Sequence, residues 1–347
     1  MTPRIWLLPA TIAALSLVAI SRAPADEFYK GKTLTFVVGF SAGGGFDTYT
    51  RLIARHFGKH VPGNPTVVVE NRTGAGSLVA ANYIYNQAPR DGTVIGNWIG
   101  PLVLQQVLGN KAAKFDGRNF GWLGVPTPDS GVCALTKASG INTMDDWFKS
   151  QRPIKIGGTA PGSTTDDVPR LVQEALGIPM KLVEGYAGTS KVRLAAESGE
   201  IDGGCWAWES IKPTWAKGLQ AGEVHIVLQT TEKAHPDLKN VPLAMQYAKS
   251  DEARALLGIA HGPYSLGARP YTVPPGVPPD RLQLLQKAFM ETLHDPDLLK
   301  EAQKSQVYID PVDGPTVAKT MAGLYELSPA FKSKLTKLLI PGSEKKM

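Results

Sequence analysis

Two glycine-rich loops constrain this chain more than any other feature. Gly39-Phe-Ser-Ala-Gly-Gly-Gly-Phe-Asp47 and Gly158-Thr-Ala-Pro-Gly-Ser-Thr-Thr-Asp166 each follow a short apolar run and lead into an amphipathic stretch. A strand that turns through glycine into a helix leaves the first backbone N–H groups of that helix unpaired, at the positive end of its dipole. Glycines allow an anion to approach that backbone closely. Two such loops, well separated along the chain, suit a carboxylate-bearing ligand held between two lobes.

The rest of the chain repeats the alternation. Thr33–Val38, Thr66–Glu70 and Thr93–Gly96 have strand character, and the stretches 47–60 and 77–87 have helical periodicity. Tyr49, Leu52, Ile53, His56 and Phe57 fall on one helical face. Further on, strands are expected at 121–125, 132–136, 153–157, 180–184, 201–206 and 224–229. Helices are expected at 144–150, 166–176, 188–198, 241–257, 279–294 and 297–306, with a helical tail over 315–339. This pattern is α/β, and three consecutive strand–helix units favour a parallel sheet. At 347 residues the chain is long enough for two domains, and the crossings between them are expected near 125 and 230.

Composition removes several classes. With 43% hydrophobic residues and a net charge of only +6, the chain is neither disordered nor highly charged. Lys and Arg are scattered without aromatic interleaving, which argues against nucleic acid as a partner. At the N-terminus, Arg4, the apolar run Ile5 to Ile20 and Ala23-Pro24-Ala25 read as an export signal cleaved near Ala25. Export permits disulfides. The two cysteines, Cys133 and Cys205, lie on expected strands; they read as buried free thiols ahead of a bridge, with the bridge left open.

Sharper chemical motifs are weak. The first loop lacks the Lys-Ser/Thr of a phosphate-binding loop and the spacing of a dinucleotide fingerprint. Gly39-Phe40-Ser41-Ala42-Gly43 matches the G-x-S-x-G of a nucleophile elbow, so a secreted serine hydrolase using Ser41 is the alternative function. It lacks an upstream βα loop for the second oxyanion donor and a well-placed His; His261 is the best available. His56 and His60 stand at i, i+4 without a third metal ligand, and His60 is expected at its helix's carbonyl end. Asp145-Asp146 and Asp166-Asp167 read as capping carboxylates. No catalytic residue, metal or cofactor is expected. Trp98 and Trp206, at strand ends where α/β clefts open, are candidate cleft walls.

Taken in order, Phe36-Val-Val-Gly-Phe-Ser-Ala-Gly-Gly-Gly-Phe-Asp47, Val67-Val-Val-Glu-Asn-Arg-Thr-Gly-Ala-Gly76 and Ala88-Pro-Arg-Asp-Gly-Thr93 resemble the signature series of the tripartite tricarboxylate transporter receptors, the TctC or Bug-type periplasmic solute-binding proteins. The resemblance continues through Ile156–Ser163, Gly185–Gly188, Gly199–Asp202 and Arg269–Pro275.

It implies an α/β, two-lobed, type II venus-flytrap fold with two crossover strands. Residues 26–125 and 231–347 would form lobe I and 126–230 lobe II, after a signal peptide over 1–25. It also implies a non-enzymatic monomer that captures a small carboxylate and delivers it to membrane permease subunits. By position, Phe40, Ser41, Ala42, Gly43, Gly44 and Asp47 would form the first-lobe contact. Ala160, Pro161, Gly162, Ser163, Thr164 and Thr165 would form the second, flanked by Tyr186. Departures are Thr73 for a usual Pro, an added Arg90, Thr164-Thr165-Asp166-Asp167 for a frequent His pair, and Trp206 for a frequent Asp. The last favours an apolar or aromatic distal group on the solute.

Overall fold

A computed structural model describes residues 28–340; the expected export segment lies outside them. In chain order the strands are β1 (Thr33–Val38), β2 (Thr66–Asn71), β3 (Val94–Asn97), β4 (Gly121–Val125), β5 (Gly131–Thr136), β6 (Ile154–Gly157), β7 (Met180–Val183), β8 (Gly203–Ala207), β9 (Val224–Gln229), β10 (Tyr271–Val273) and β11 (Val312–Asp313). The helices are α1 (Gly45–Phe57), α2 (Leu78–Asn86), α3 (Leu102–Val107), α4 (Met144–Lys149), α5 (Thr164–Leu176), α6 (Thr189–Glu197), α7 (Trp208–Thr214), α8 (Ala216–Gln220), α9 (Asp251–Leu266), α10 (Pro279–Leu293), α11 (Pro296–Lys304), α12 (Gly314–Gly323) and α13 (Pro329–Leu339).

The strands form two separate mixed sheets, ordered β11-β4-β10-β3-β1-β2 and β7-β6-β8-β5-β9. Each sheet contains one parallel set built from strand–helix units, β2-β1-β3 and β7-β6-β8. The parallel expectation holds there and fails at β10, β11, β5 and β9, which pair antiparallel. Phe36, Tyr49, Ile53, Phe57 and Phe289 fill a core between the first sheet and α1 and α10. Val132, Val192, Trp206, Ile211 and Trp215 fill one on the second sheet. A third apolar cluster runs through both lobes, from Trp98 and Leu102 to Leu171, Leu257 and Tyr264.

The chain leaves the first sheet after Val125 and enters the second at Gly131. Its return falls later than residue 230, because α9 lies along α5 in the second lobe. Tyr264 Oη on α9 donates to Asp167 Oδ2 on α5 at 2.5 Å. Only beyond α9 does Tyr271 join β3. The C-terminal α13 also reaches α5, and its Lys334 pairs with Glu252 on α9. Residues 231–347 are therefore shared between the lobes.

Two helical expectations shift for local reasons. The stretch 241–257 becomes a short 3-10 turn, Ala244–Tyr247, and then α9, whose start is set by Ser250 accepting from the Ala253 N–H. The tail divides at Ser328, because the residue before a proline avoids helical backbone and Pro329 opens the next helix. The cysteines form a disulfide: Cys133 on β5 lies directly opposite Cys205 on β8, with Cα atoms 4.0 Å apart. This corrects the free-thiol reading; the antiparallel register that opposes them was not readable from either strand alone.

Candidate functional site

The lobes meet where the first glycine loop faces the segment 187–190 that leads into α6. Ser41 Oγ is 2.8 Å from Ser190 Oγ, and Ser190 Oγ donates to Ala42 O at 3.0 Å. The Ser41 N–H donates to Ala187 O at 3.1 Å. Two glycines make this approach possible. A Cβ on Gly45 would lie 1.8 Å from Ser210 Oγ, and one on Gly188 would lie 2.5 Å from Ser41 Oγ. These contacts assign Ser41 to the seam between lobes, with another serine rather than a histidine as its hydroxyl partner.

Behind the seam lies a cavity of about 30 Å³. Its walls include Phe40, Gly44, Phe46 and Ile99 from the first lobe, and Thr159, Ser163, Thr164, Thr165, Thr189, Trp206, Ala207 and Ser210 from the second. Asp129 and Arg269, one from each crossing segment, complete it. Thr164 and Thr165 are the first two residues of α5, so their N–H groups lack intrahelical acceptors. Thr164 Oγ1, Trp206 Nε1 and Arg269 Nη1 are all buried and make no hydrogen bond.

The second loop is rigidly organised. Asp166 Oδ2 accepts from the Thr159 N–H at 2.6 Å, Ser163 Oγ at 2.8 Å and Thr165 Oγ1 at 3.1 Å. Asp167 Oδ1 accepts from the Gly162 N–H at 3.0 Å. Both aspartates thus tie the loop to the helix start, but they accept from loop N–H groups and side-chain hydroxyls and leave the first N–H groups of α5 uncapped, which corrects the capping expectation for this pair. Burial pushes Asp166 up to about 7, with Glu184 adding to the shift, and Asp167 up to about 6. Across the hinge, Arg269 Nε donates to Asp129 Oδ1 at 2.5 Å with both side chains buried. Its guanidinium sits 4.6 Å from the Tyr49 ring centroid. Burial raises Asp129 to about 6 even beside this partner.

The expected site residues divide. Phe40, Gly44, Ser163, Thr164, Thr165 and Trp206 line the cavity. Ala160 and Pro161 are half-buried at the loop, and Gly162 packs toward Gln105 and Leu102 of the first lobe. Ala42 and Gly43 are exposed, and the Gly43 N–H is taken by Asp47 Oδ2 at 2.9 Å. Asp47 itself is held by Arg51 Nε and Asn71 Nδ2, which keep its carboxyl below the usual range against the opposing effect of burial. It therefore braces the loop and does not reach the cavity.

Trp98 is a correction: its indole is fully buried against Phe115, Phe120 and Trp122, and its N–H donates to Thr272 Oγ1. Tyr186 also lies off the cavity, donating to Glu200 Oε1 at 2.5 Å. His60 bonds Asp295 Oδ2 at 2.6 Å instead of a helix carbonyl, and His56 bonds Glu301. Phe46, Ile99, Asp129, Thr159, Thr189, Ser210 and Arg269 were not singled out in the sequence. Arg269 carried a signal, standing within a quoted motif, but nothing in a linear reading pairs it with Asp129, 140 residues away.

Among the described residues no group of His, Cys, Asp and Glu is arranged to hold a metal, and no helix is long and apolar enough to cross a membrane. No family model matches the chain. A UPF0065 protein from the tcbD–tcbE intergenic region of Pseudomonas sp. (strain P51) is 32% identical over 249 residues, covering 69% of this chain and 70% of that one. A UPF0065 protein of Cupriavidus necator is 26% identical over 320 residues, covering 86% and 85%.

In structure the chain is similar to the periplasmic binding protein BugD, with a TM-score of 0.72 at 18% identity over 90% of this chain and 99% of that one. It is also similar to malate-bound MatC of Rhodopseudomonas palustris, with a TM-score of 0.70 at 19% identity over 88% and 99%. An adipate-bound R. palustris protein gives a TM-score of 0.69 at 19% identity over 89% and 97%. The chain belongs to the UPF0065 family, and its fold is that of the Bug and TctC-type periplasmic binding proteins.

Proposed function

We propose that this protein is exported and captures a carboxylate-bearing small molecule between its lobes, for uptake through the permease of a tripartite tricarboxylate-type transporter. The observation that carries the reading is the cavity behind the seam. The uncapped N-terminus of α5 opens into it, and Phe40, Phe46, Ile99 and Trp206 wall it. A helix start supplies N–H donors and a favourable dipole for an anion, and aromatic walls suit a short carbon skeleton. MatC holds malate and a second neighbour holds adipate, which fits the same ligand class here.

The lobes contribute opposite walls, so solute entry requires them to part and retention requires the seam of Ser41, Ser190 and Ala187 to re-form. The protein acts as a monomer in this reading, and no step of it uses a cofactor. A thermal-shift screen against mono-, di-, tri- and aromatic carboxylates tests it. A ligand present at about 100 times its Kd adds about 2.7 kcal/mol of stability. Absence of any shift across the acids, with shifts from neutral sugars or amino-group cations instead, would contradict the carboxylate assignment.

A further inference from the structure

We propose that Arg269 is a solute-reading residue, and that its Nη1 joins Trp206 Nε1 and Thr164 Oγ1 in a three-donor seat for one carboxylate group. The inference rests on the carboxylate-capture reading and specifies which side chains read the anion. All three residues line one small cavity, all three atoms are buried, and none has a hydrogen-bond partner. A buried donor without an acceptor costs stability that only a bound acceptor recovers. An ionised carboxylate is acceptor-only, with about four lone-pair sites, enough for three donors at once.

The charge arrangement supports a seat of this kind. Asp129 engages Arg269 through Nε, which fixes the guanidinium plane and leaves Nη1 for the solute. Asp129 is therefore a positioning residue. Because it also neutralises much of the Arg269 charge, and Glu209 lies near enough to act on the pair, the compensating positive potential comes from α5. Thr164 is the first residue of that 13-residue helix, so the dipole and the free amides lie at the same place as the hydroxyl. The Trp206 indole is stacked on Trp215 with ring centroids 5.8 Å apart, which fixes the direction of its N–H. Trp206 is thus a polar reader as well as an apolar wall.

The test uses the mature protein in thermal-shift and calorimetric titrations with butyrate, succinate, malate, adipate and benzoate, alongside butyramide and succinamide as neutral counterparts. The variants are Thr164→Val, Arg269→Lys and Trp206→Phe. Thr164→Val removes a hydroxyl that has no partner without solute, so the unliganded melting temperature should hold or rise. Affinity for the acid that binds wild type should fall about 10- to 150-fold, the worth of a hydrogen bond to a charged group. Arg269→Lys keeps a cation for Asp129 while deleting Nη1 and should lose at least about tenfold.

If Arg269→Lys fails to fold, Thr164→Val and Trp206→Phe decide the matter. An acid that binds wild type and the variants equally overturns the three-donor seat and leaves carboxylate capture standing. Equal binding of an acid and its amide also overturns it. Failure of every acid to bind wild type removes carboxylate capture and this seat together.

Discussion

Ser41 and Ser190 lie 149 residues apart in sequence and on opposite lobes, yet their hydroxyl oxygens are 2.8 Å apart. With the Ser41 N–H on Ala187 O, they tie the first glycine loop to the second lobe, and under the proposed function this seam closes over the solute. Ser41→Ala removes one neutral hydrogen bond from the closed state only, while Ser190 keeps its bond to Ala42 O. Solute affinity should fall about 2- to 10-fold, matching roughly 0.5–1.5 kcal/mol. A serine-reactive probe should leave Ser41 unlabelled; stoichiometric labelling would instead revive the nucleophile-elbow reading.

Gly188→Ala is a steric test of closure. Its backbone is extended, so alanine adds no local strain, but the new Cβ would sit 2.5 Å from Ser41 Oγ and 2.9 Å from Ser41 N. The lobes should be wedged apart with each lobe's core intact. Small-angle scattering should give a larger radius of gyration than wild type under saturating solute, together with strongly weakened binding. A variant that closes and binds normally would show that this contact is not required.

The Cys133–Cys205 bridge closes a span of 72 residues within the second sheet. Chain-entropy arguments assign a loop of that length about 4 kcal/mol of stability. The Cys133→Ala/Cys205→Ala double variant should be destabilised by about that amount in denaturant titration, with the loss confined to the second lobe. Both cysteines are fully buried, so reductant should act slowly on the folded protein.

Stability should decline as pH rises from about 5 to about 8. Asp129, Asp166 and Asp167 have folded-state pKa values raised by burial to about 6, 7 and 6. A raised value means the folded state binds the proton more tightly. The contribution is therefore full below the unfolded carboxylate range and is lost as pH climbs through the folded values. His235, lowered by burial, works in the opposite direction as a single group. Carboxylates held low by partners, such as Asp116 at about 2, are ionised throughout this window and add no slope. Melting temperature should thus be higher near pH 5.5 than near pH 8, and Asp166→Asn should flatten the difference. A rise toward pH 8 would contradict this assignment.

Local signals carried most of the fold. Glycine loops and strand–helix alternation were legible because each is set by neighbours in sequence. The paired antiparallel strands β5 and β9, the Cys133–Cys205 register and the late return after α9 were not, since each depends on contacts between distant segments. The site shows the same division. Phe40, Gly44 and Ser163 to Thr165 could be read from their loops. Trp98 misled because a strand-end tryptophan reads alike whether it faces a cleft or the core. Arg269 gained its meaning only from Asp129, across a hinge that no linear pattern reveals.

The proposed function puts a carboxylate between the lobes at the start of α5. A co-crystal structure with the acid giving the largest thermal shift tests it most directly. Carboxylate oxygens are expected within hydrogen-bonding distance of the Thr164 and Thr165 N–H groups, enclosed by Phe40, Phe46 and Trp206. Solute bound instead in the cavity beside Trp208, Glu209 and His235, with the inter-lobe cavity unfilled, would contradict it.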